Sequence, residues 1–164
     1  MGLAYLKTLH GILSVLQVFL GLIALLAGYL LWDDTNDELY WLFYMGQKPL
    51  ATVVLVILSL SWLYGLGILF QQLFVNDLLE KIGKPKLLFM HLLNGLLISG
   101  IAIIESLYLN QEIGGKKGGD TPPHPSPEPG ALSLNYLPRL IVVTVCCWVI
   151  VASYIGQFIY VLLQ

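Results

Sequence analysis

The stretch that most constrains this chain is Leu87 to Leu109, LLFMHLLNGLLISGIAIIESLYL. As a helix it is about 34 Å long at 1.5 Å per residue, enough to cross a bilayer. It nevertheless carries His91, Asn94, Gly95, Ser99 and Glu105. At 100° per residue, His91 and Glu105 fall within about 40° of each other, and Asn94 and Glu105 within about 20°. His91, Gly95, Ile98, Ala102, Glu105 and Leu109 step by alternating fours and threes, the spacing of a left-handed bundle seam. Each polar group is costly against hydrocarbon, so a helix that gathers them on one side turns that side toward protein. The expectation is an interior seam.

The same spacing occurs in the first apolar run, roughly Leu9 to Trp32. His10, Ser14, Gln17, Gly21, Ala24 and Gly28 alternate fours and threes and are all small or polar. The first ten residues resemble a signal-peptide n-region. The apolar run that follows is long enough to span, which predicts a retained signal-anchor helix. Two further runs complete a set of four, in a chain of 164 residues of which only 11% are charged. A soluble domain carries about a quarter. These features predict an all-α, polytopic membrane protein: one four-transmembrane-helix bundle with short termini, and no separate domain.

The expected spans are 9–32, 50–70 with a helical extension to about Ile82, 87–109, and 137–163. Pro49 suits the first turn of the second span. Val75, Leu78, Leu79 and Ile82 keep a helical pattern beyond Phe70, and Gly83 with Pro85 signals a stop. Residues 110–135 hold two Gly-Gly pairs and five prolines, composition for an extended connection without a core of its own. Asn135 is the expected cap of the fourth span, with Pro138 in its first turn. Between Asp33 and Pro49 an acidic half is followed by Tyr40, Trp41, Phe43 and Tyr44. Such a cluster belongs at the headgroup level, as an aromatic belt or a partner-contact patch.

Each span contains a pair of small residues four apart: Ala24 and Gly28, Ser61 and Gly65, Gly95 and Ser99, Ala152 and Gly156. Such pairs let helix backbones approach closely. The two cysteines, Cys146 and Cys147, are adjacent inside the fourth span, so no connecting segment is stapled by a disulfide. They are expected to pack as small residues.

No phosphate-binding loop, dinucleotide fingerprint, CxxC, HExxH or nucleophile elbow is present. No enzymatic activity and no cofactor are expected. With a net charge of −2 and no basic cluster, nucleic acid is not an expected partner. Glu105 is an intramembrane carboxylate, which reads either as a structural partner of Arg139 or as a proton or ion site. His10 and His91 begin interior seams on spans that run the same way. At the membrane edge each could be satisfied by water, or the two could face one another as haem ligands. The first reading of function is therefore a non-enzymatic protein working by helix and loop contacts, as an accessory subunit of a larger membrane complex or a junction or membrane-organising protein. Its expected partners are the lipid bilayer and other membrane subunits or a second copy. The alternative is a haem-binding redox or proton-translocating subunit using His10, His91 and Glu105. A second alternative, an oligomeric pore, requires a continuous polar stripe, and the seams of the first and third spans are mostly small rather than charged, which argues against it; the intramembrane polar residues are Glu105, Asn94 and Gln17.

Lysine and arginine counts tie at four on each side: Lys7, Lys81, Lys84 and Lys86 against Lys48, Lys116, Lys117 and Arg139. The compact second loop breaks the tie, because its three lysines flank the third span closely. Both termini are thus expected in the cytoplasm. Tags at residues 1 and 164 should both react with an impermeant reagent applied from the cytosol, and reaction of both from the opposite side would reverse the topology.

Overall fold

The computed structural model describes residues 6–30, 48–74, 82–114 and 133–163. They form four long helices, with no strand among the described residues: α1 (Leu9–Leu25), α2 (Lys48–Phe74), α3 (Lys84–Gly114) and α4 (Ser133–Leu163). A π-helical segment, Leu26–Leu30, continues α1. Within these helices, Leu9–Gly28, Thr52–Phe74, Lys84–Asn110 and Pro138–Leu163 are each long and apolar enough to cross a membrane.

Local chemistry sets the helix ends. Thr8 is extended and caps α1, its hydroxyl oxygen accepting from Gly11 N at 3.1 Å, a contact of the kind worth about 1 kcal/mol. Gly83 adopts φ +84°, a left-handed conformation that glycine takes without a Cβ penalty. Its carbonyl receives Leu87 N at 3.2 Å and opens α3. α3 therefore starts at Lys84 rather than after Lys86. Pro85 sits in the first turn, where its missing N–H has no helical partner to lose.

Three other boundaries differ from the sequence expectation. α3 continues through Asn110, Gln111, Glu112 and Ile113 to Gly114, because Gln and Glu are good helix formers and the first residue that disfavours helix is the glycine. α4 begins at Ser133, which places Asn135 and Pro138 inside the helix. Pro138 thus stands past the first turn, where a proline removes one i→i−4 hydrogen bond and its ring crowds the carbonyl four residues back. The end of the first span is π-helical from Leu26 rather than α-helical. The expected extension of the second span across 75–81, and the aromatic run Tyr40, Trp41, Phe43 and Tyr44, lie outside the described residues.

α4 is the centre of the bundle. More than half of its most apolar stretch is buried, against about a third or less in the other three. It shares its main interfaces with α1 and α3; α2 lies chiefly against α1 and touches α3 only slightly. The α2–α3 contact gathers at the end near the Gly83 turn, where Ile68, Leu87 and Val161 form a small cluster. The main core joins all four helices through Ala24, Val54, Leu58, Ile98, Ala102, Val143, Ile150 and Tyr154.

Every helix buries one seam of alternating fours and threes. On α1 it runs His10, Ser14, Gln17, Gly21, Ala24; on α2 it runs Val54, Leu58, Ser61, Gly65, Ile68, Gln72. On α4 it runs Val143, Cys147, Ile150, Tyr154, Gln157, Val161. On α3, His91, Ile98, Ala102 and Glu105 are buried, with Gly95 and Leu109 half-buried between and beyond them. This shared period is that of a left-handed bundle.

Small residues admit the neighbours. A Cβ on Gly21 would stand 2.9 Å from Trp62 Cδ1, and one on Gly156 would stand 3.0 Å from Leu13 Cδ1. Gly65 faces Val18, Gly28 faces Val143, and Gly95 faces Tyr154. Ala152 does not pack in this way. It is exposed, because the buried stripe of α4 passes through Val151, Ser153 and Tyr154 and leaves residue 152 on the outside. Replacing Gly21 with Leu should overpack the α1–α2 contact at a cost of about 1–3 kcal/mol. Gly67→Leu, where an added Cβ meets nothing within 4 Å, should cost little. Detergent-solubilised thermal unfolding of the two variants decides it, and equal losses would contradict the assigned faces.

Candidate functional site

The polar side chains that interrupt the apolar helices meet in the half of the bundle near the start of α1. His10 stands one residue into α1, and His91 lies in the second turn of α3. Their Nε2 atoms are 3.3 Å apart, and both rings are buried. One imidazole N–H donates to the other's lone pair, since two facing N–H groups cannot bond. The rings meet edge-on, centroids 5.3 Å apart at 61°. Tyr160 lies 6.0 Å from His10, and Tyr64 and Tyr154 each lie 6.2 Å from His91, measured between ring centroids. The pair is enclosed by aromatic rings from α2 and α4.

Gln157 of α4 ties this pair to the rest of α1. Its Nε2 donates to Ser14 Oγ at 2.8 Å and reaches the His10 carbonyl at 3.3 Å. Its Oε1 accepts from Gln17 Nε2 at 2.9 Å. Ser14 Oγ in turn donates to the His10 carbonyl at 3.0 Å. Nearby, Ser61 Oγ and Tyr154 Oη are 3.2 Å apart and buried. Burial is tolerable here because the Gln17 and Gln157 amides and the Ser14, Ser61 and Tyr154 hydroxyls each find a partner on the facing helix or one turn away. At the rim, Trp62 Nε1 donates to the Val18 carbonyl at 3.0 Å, laying its ring across Gly21.

Several sequence candidates stand apart from this cluster. Asn94 is half-buried and donates to the Met90 carbonyl of its own helix at 3.1 Å. Ser99 bonds the Gly95 carbonyl at 2.7 Å in the same manner. Such back-bonding satisfies a polar group without a partner helix. Glu105 is fully buried, so it does not lean out to the membrane interface. It lies about 21 Å along α3 from His91, near enough to Cys147 to interact with it electrostatically. Between the two polar regions stand Ala24, Ile98, Ile101 and Ile150. Thus His10 and His91 come together while Glu105 is separated from them by an apolar layer. Both cysteines are free thiols and buried.

A haem between the histidines does not fit this geometry. A haem held by both imidazoles would have to stand between His10 and His91. Here the nitrogens are in direct contact at 3.3 Å, and tyrosine rings flank the pair. The edge-on approach of the rings equally leaves no slot.

Gln157, Tyr154 and Trp62 complete the network, and Tyr64 adds a ring against His91 while its buried hydroxyl has no partner among the described residues; the sequence reading singled out none of the four. For α4 the signal was present: Tyr154 and Gln157 belong to the same four-three series as Cys147 and Ile150. No protein family model, characterised protein or solved structure matches the chain, so the site stands on its own geometry.

Removing either glutamine leaves the other with buried unbonded amide atoms, a penalty of about 1–3 kcal/mol. Gln17→Leu and Gln157→Leu should each destabilise the bundle. The double variant should lose less than the sum, by at least about 0.5 kcal/mol. Strict additivity in a folding assay would mean the two side chains do not meet.

Proposed function

We propose that the protein is a non-enzymatic integral membrane protein that works by contact, as an accessory subunit of a larger membrane complex or a membrane-organising protein. Its contacts are with the bilayer and with other membrane subunits or a second copy, and both termini face the cytoplasm. The observation that supports this most is the inward use of polar groups. His10, Ser14 and Gln17 are engaged with His91 and Gln157, which fixes how the helices sit against one another. What α2 and α3 present outward is apolar: Val56, Leu60, Leu63, Phe70, Leu92, Leu96, Ile103 and Leu107. An interior spent on holding helices together, with aliphatic outer faces, suits a scaffold read by its neighbours. The run Tyr40, Trp41, Phe43 and Tyr44 supplies the candidate contact surface at the membrane boundary.

The competing readings are less well supported. A haem requires a gap between the imidazoles that a 3.3 Å contact does not leave. A pore or proton path requires polar continuity, and the apolar layer of Ala24, Ile98, Ile101 and Ile150 separates the histidines from Glu105.

Purification in mild detergent tests this reading. The preparation should be colourless and should run as a discrete complex of fixed stoichiometry. Changing both Trp41 and Phe43 to Ser should release the partner while the thermal unfolding of the four helices stays in place. Stoichiometric haem absorbance in the native protein, together with full retention of the partner by the double variant, would overturn it.

A further inference from the structure

Deep in the bundle, Gln17 of α1, Ser61 of α2 and Tyr154 of α4 line a small cavity together with Leu58, Ile98 and Ile150. All six residues are buried. The cavity measures about 10 Å³, and one water molecule needs about 10–15 Å³. A gap of that size lined only by leucine and isoleucine would stay dry. This one has polar side chains from three helices around it.

Those side chains hold hydrogen-bonding capacity that their neighbours do not use. A hydroxyl has one proton to give and two lone pairs. Ser61 Oγ and Tyr154 Oη are 3.2 Å apart, so one proton makes the bond between them, whichever oxygen donates. The accepting hydroxyl keeps its own proton, for which no acceptor stands among the described residues. Gln17 has the complementary need. Its Nε2 donates to Gln157 Oε1 at 2.9 Å, while its Oε1 accepts no hydrogen bond from the described residues. Packing does not seal that oxygen in the way it seals Tyr64 Oη and His91 Nδ1. A spare donor and a spare acceptor therefore border one cavity without bonding each other.

From these features we infer that the cavity is a structural water site, in which one water bridges Gln17 Oε1 to the hydroxyl pair of Ser61 and Tyr154. The water accepts the left-over hydroxyl proton and donates to Gln17 Oε1. Its second proton has the remaining hydroxyl lone pairs as acceptors. Two to four polar partners are what an ordered internal water requires. An aliphatic occupant would leave both groups unbonded, which is costly in an interior of low dielectric. The bridge changes how the helices are connected. Gln157 already links Gln17 to Ser14 and the His10 carbonyl, and Ser61 with Tyr154 forms a separate pair. Through the water the two become one network across α1, α2 and α4. α2 thereby gains a second polar tie to α1, beside the bond from Trp62 Nε1 to the Val18 carbonyl. Ile98 and Ile150 belong to the apolar layer that faces Glu105, so the network stops there.

The test is a structure of the full-length protein, crystallised from a lipid phase, at a resolution that shows ordered waters. A single solvent peak should lie at hydrogen-bond distance, about 2.7–3.2 Å, from Gln17 Oε1 and from Ser61 Oγ or Tyr154 Oη. The double variant Ser61→Ala with Tyr154→Phe removes both hydroxyls, and the peak should disappear from it. A second measurement needs no crystal. In a thermodynamic cycle between Gln17→Met and that double variant, followed by unfolding in detergent, the combined effect should differ from the product of the separate effects by at least about two-fold, although no hydrogen bond joins Gln17 to either hydroxyl directly. A cavity without solvent density, a peak that touches only one of the polar groups, or independent effects in the cycle would overturn the bridge. A peak that persists in the double variant would overturn the two hydroxyls as its holders.

Discussion

A polar side chain in a membrane-spanning helix must find its partner inside the protein, and that requirement organises this bundle. α1 alone carries His10, Ser14 and Gln17 on one seam. None can turn to hydrocarbon without forfeiting a hydrogen bond, and water does not compete for them there. Gln157 meets Ser14 and Gln17 together, and His91 meets His10. Two neighbours of α1 are thereby fixed in rotation and height. The close approaches at Gly21, Gly95 and Gly156 depend on that register, because a helix rotated by one residue would bring side chains where the glycines now face Trp62, Tyr154 and Leu13. Dispersion contacts then add to an arrangement that polar satisfaction has chosen.

The bundle is closed unevenly. α4 is buried by its neighbours, whereas α2 joins mainly through α1 and meets α3 near the Gly83 turn. Trp62 secures the α1–α2 side by packing over Gly21 and bonding the Val18 carbonyl. Glu105 occupies the other half, close to Cys147, and Trp148 Nε1 bonds Ser106 Oγ at 3.0 Å one residue along from it. The two polar regions therefore act on different ends of the same helices, with the apolar layer between them carrying most of the core.

Much of this was legible in the sequence, for a physical reason that also explains the remainder. The seams of α1 and α3 stand out because small and polar residues contrast with leucine on every other side. The seam of α2 is nearly hidden, since Val54, Leu58 and Ile68 are as apolar as the outward Val56, Leu60 and Leu66. Hydropathy separates inside from outside in water, but in a membrane both are apolar, and only Ser61, Gly65 and Gln72 mark the interior face. Tyr154 keeps the four-three series of α4, yet hydropathy alone does not mark it: an aromatic residue in a span reads as lipid-facing until its hydroxyl is seen against Ser61. The misplaced boundaries at Lys84, Gly114 and Ser133 arose where helix-compatible polar residues follow or precede an apolar run. Hydropathy stops there while the backbone hydrogen bonding does not.

The central claim is that the interior polar groups bond to one another across the bundle, and the contact between His10 and His91 is its sharpest instance. The chain has three histidines, so solid-state NMR of protein labelled with 15N-histidine in lipid bilayers addresses the pair directly. Through-space 15N–15N transfer between two imidazoles, lost in His10→Ala and in His91→Ala and surviving exchange into D2O, is the predicted result. Imidazole signals that show no mutual transfer and exchange freely with water would contradict the account.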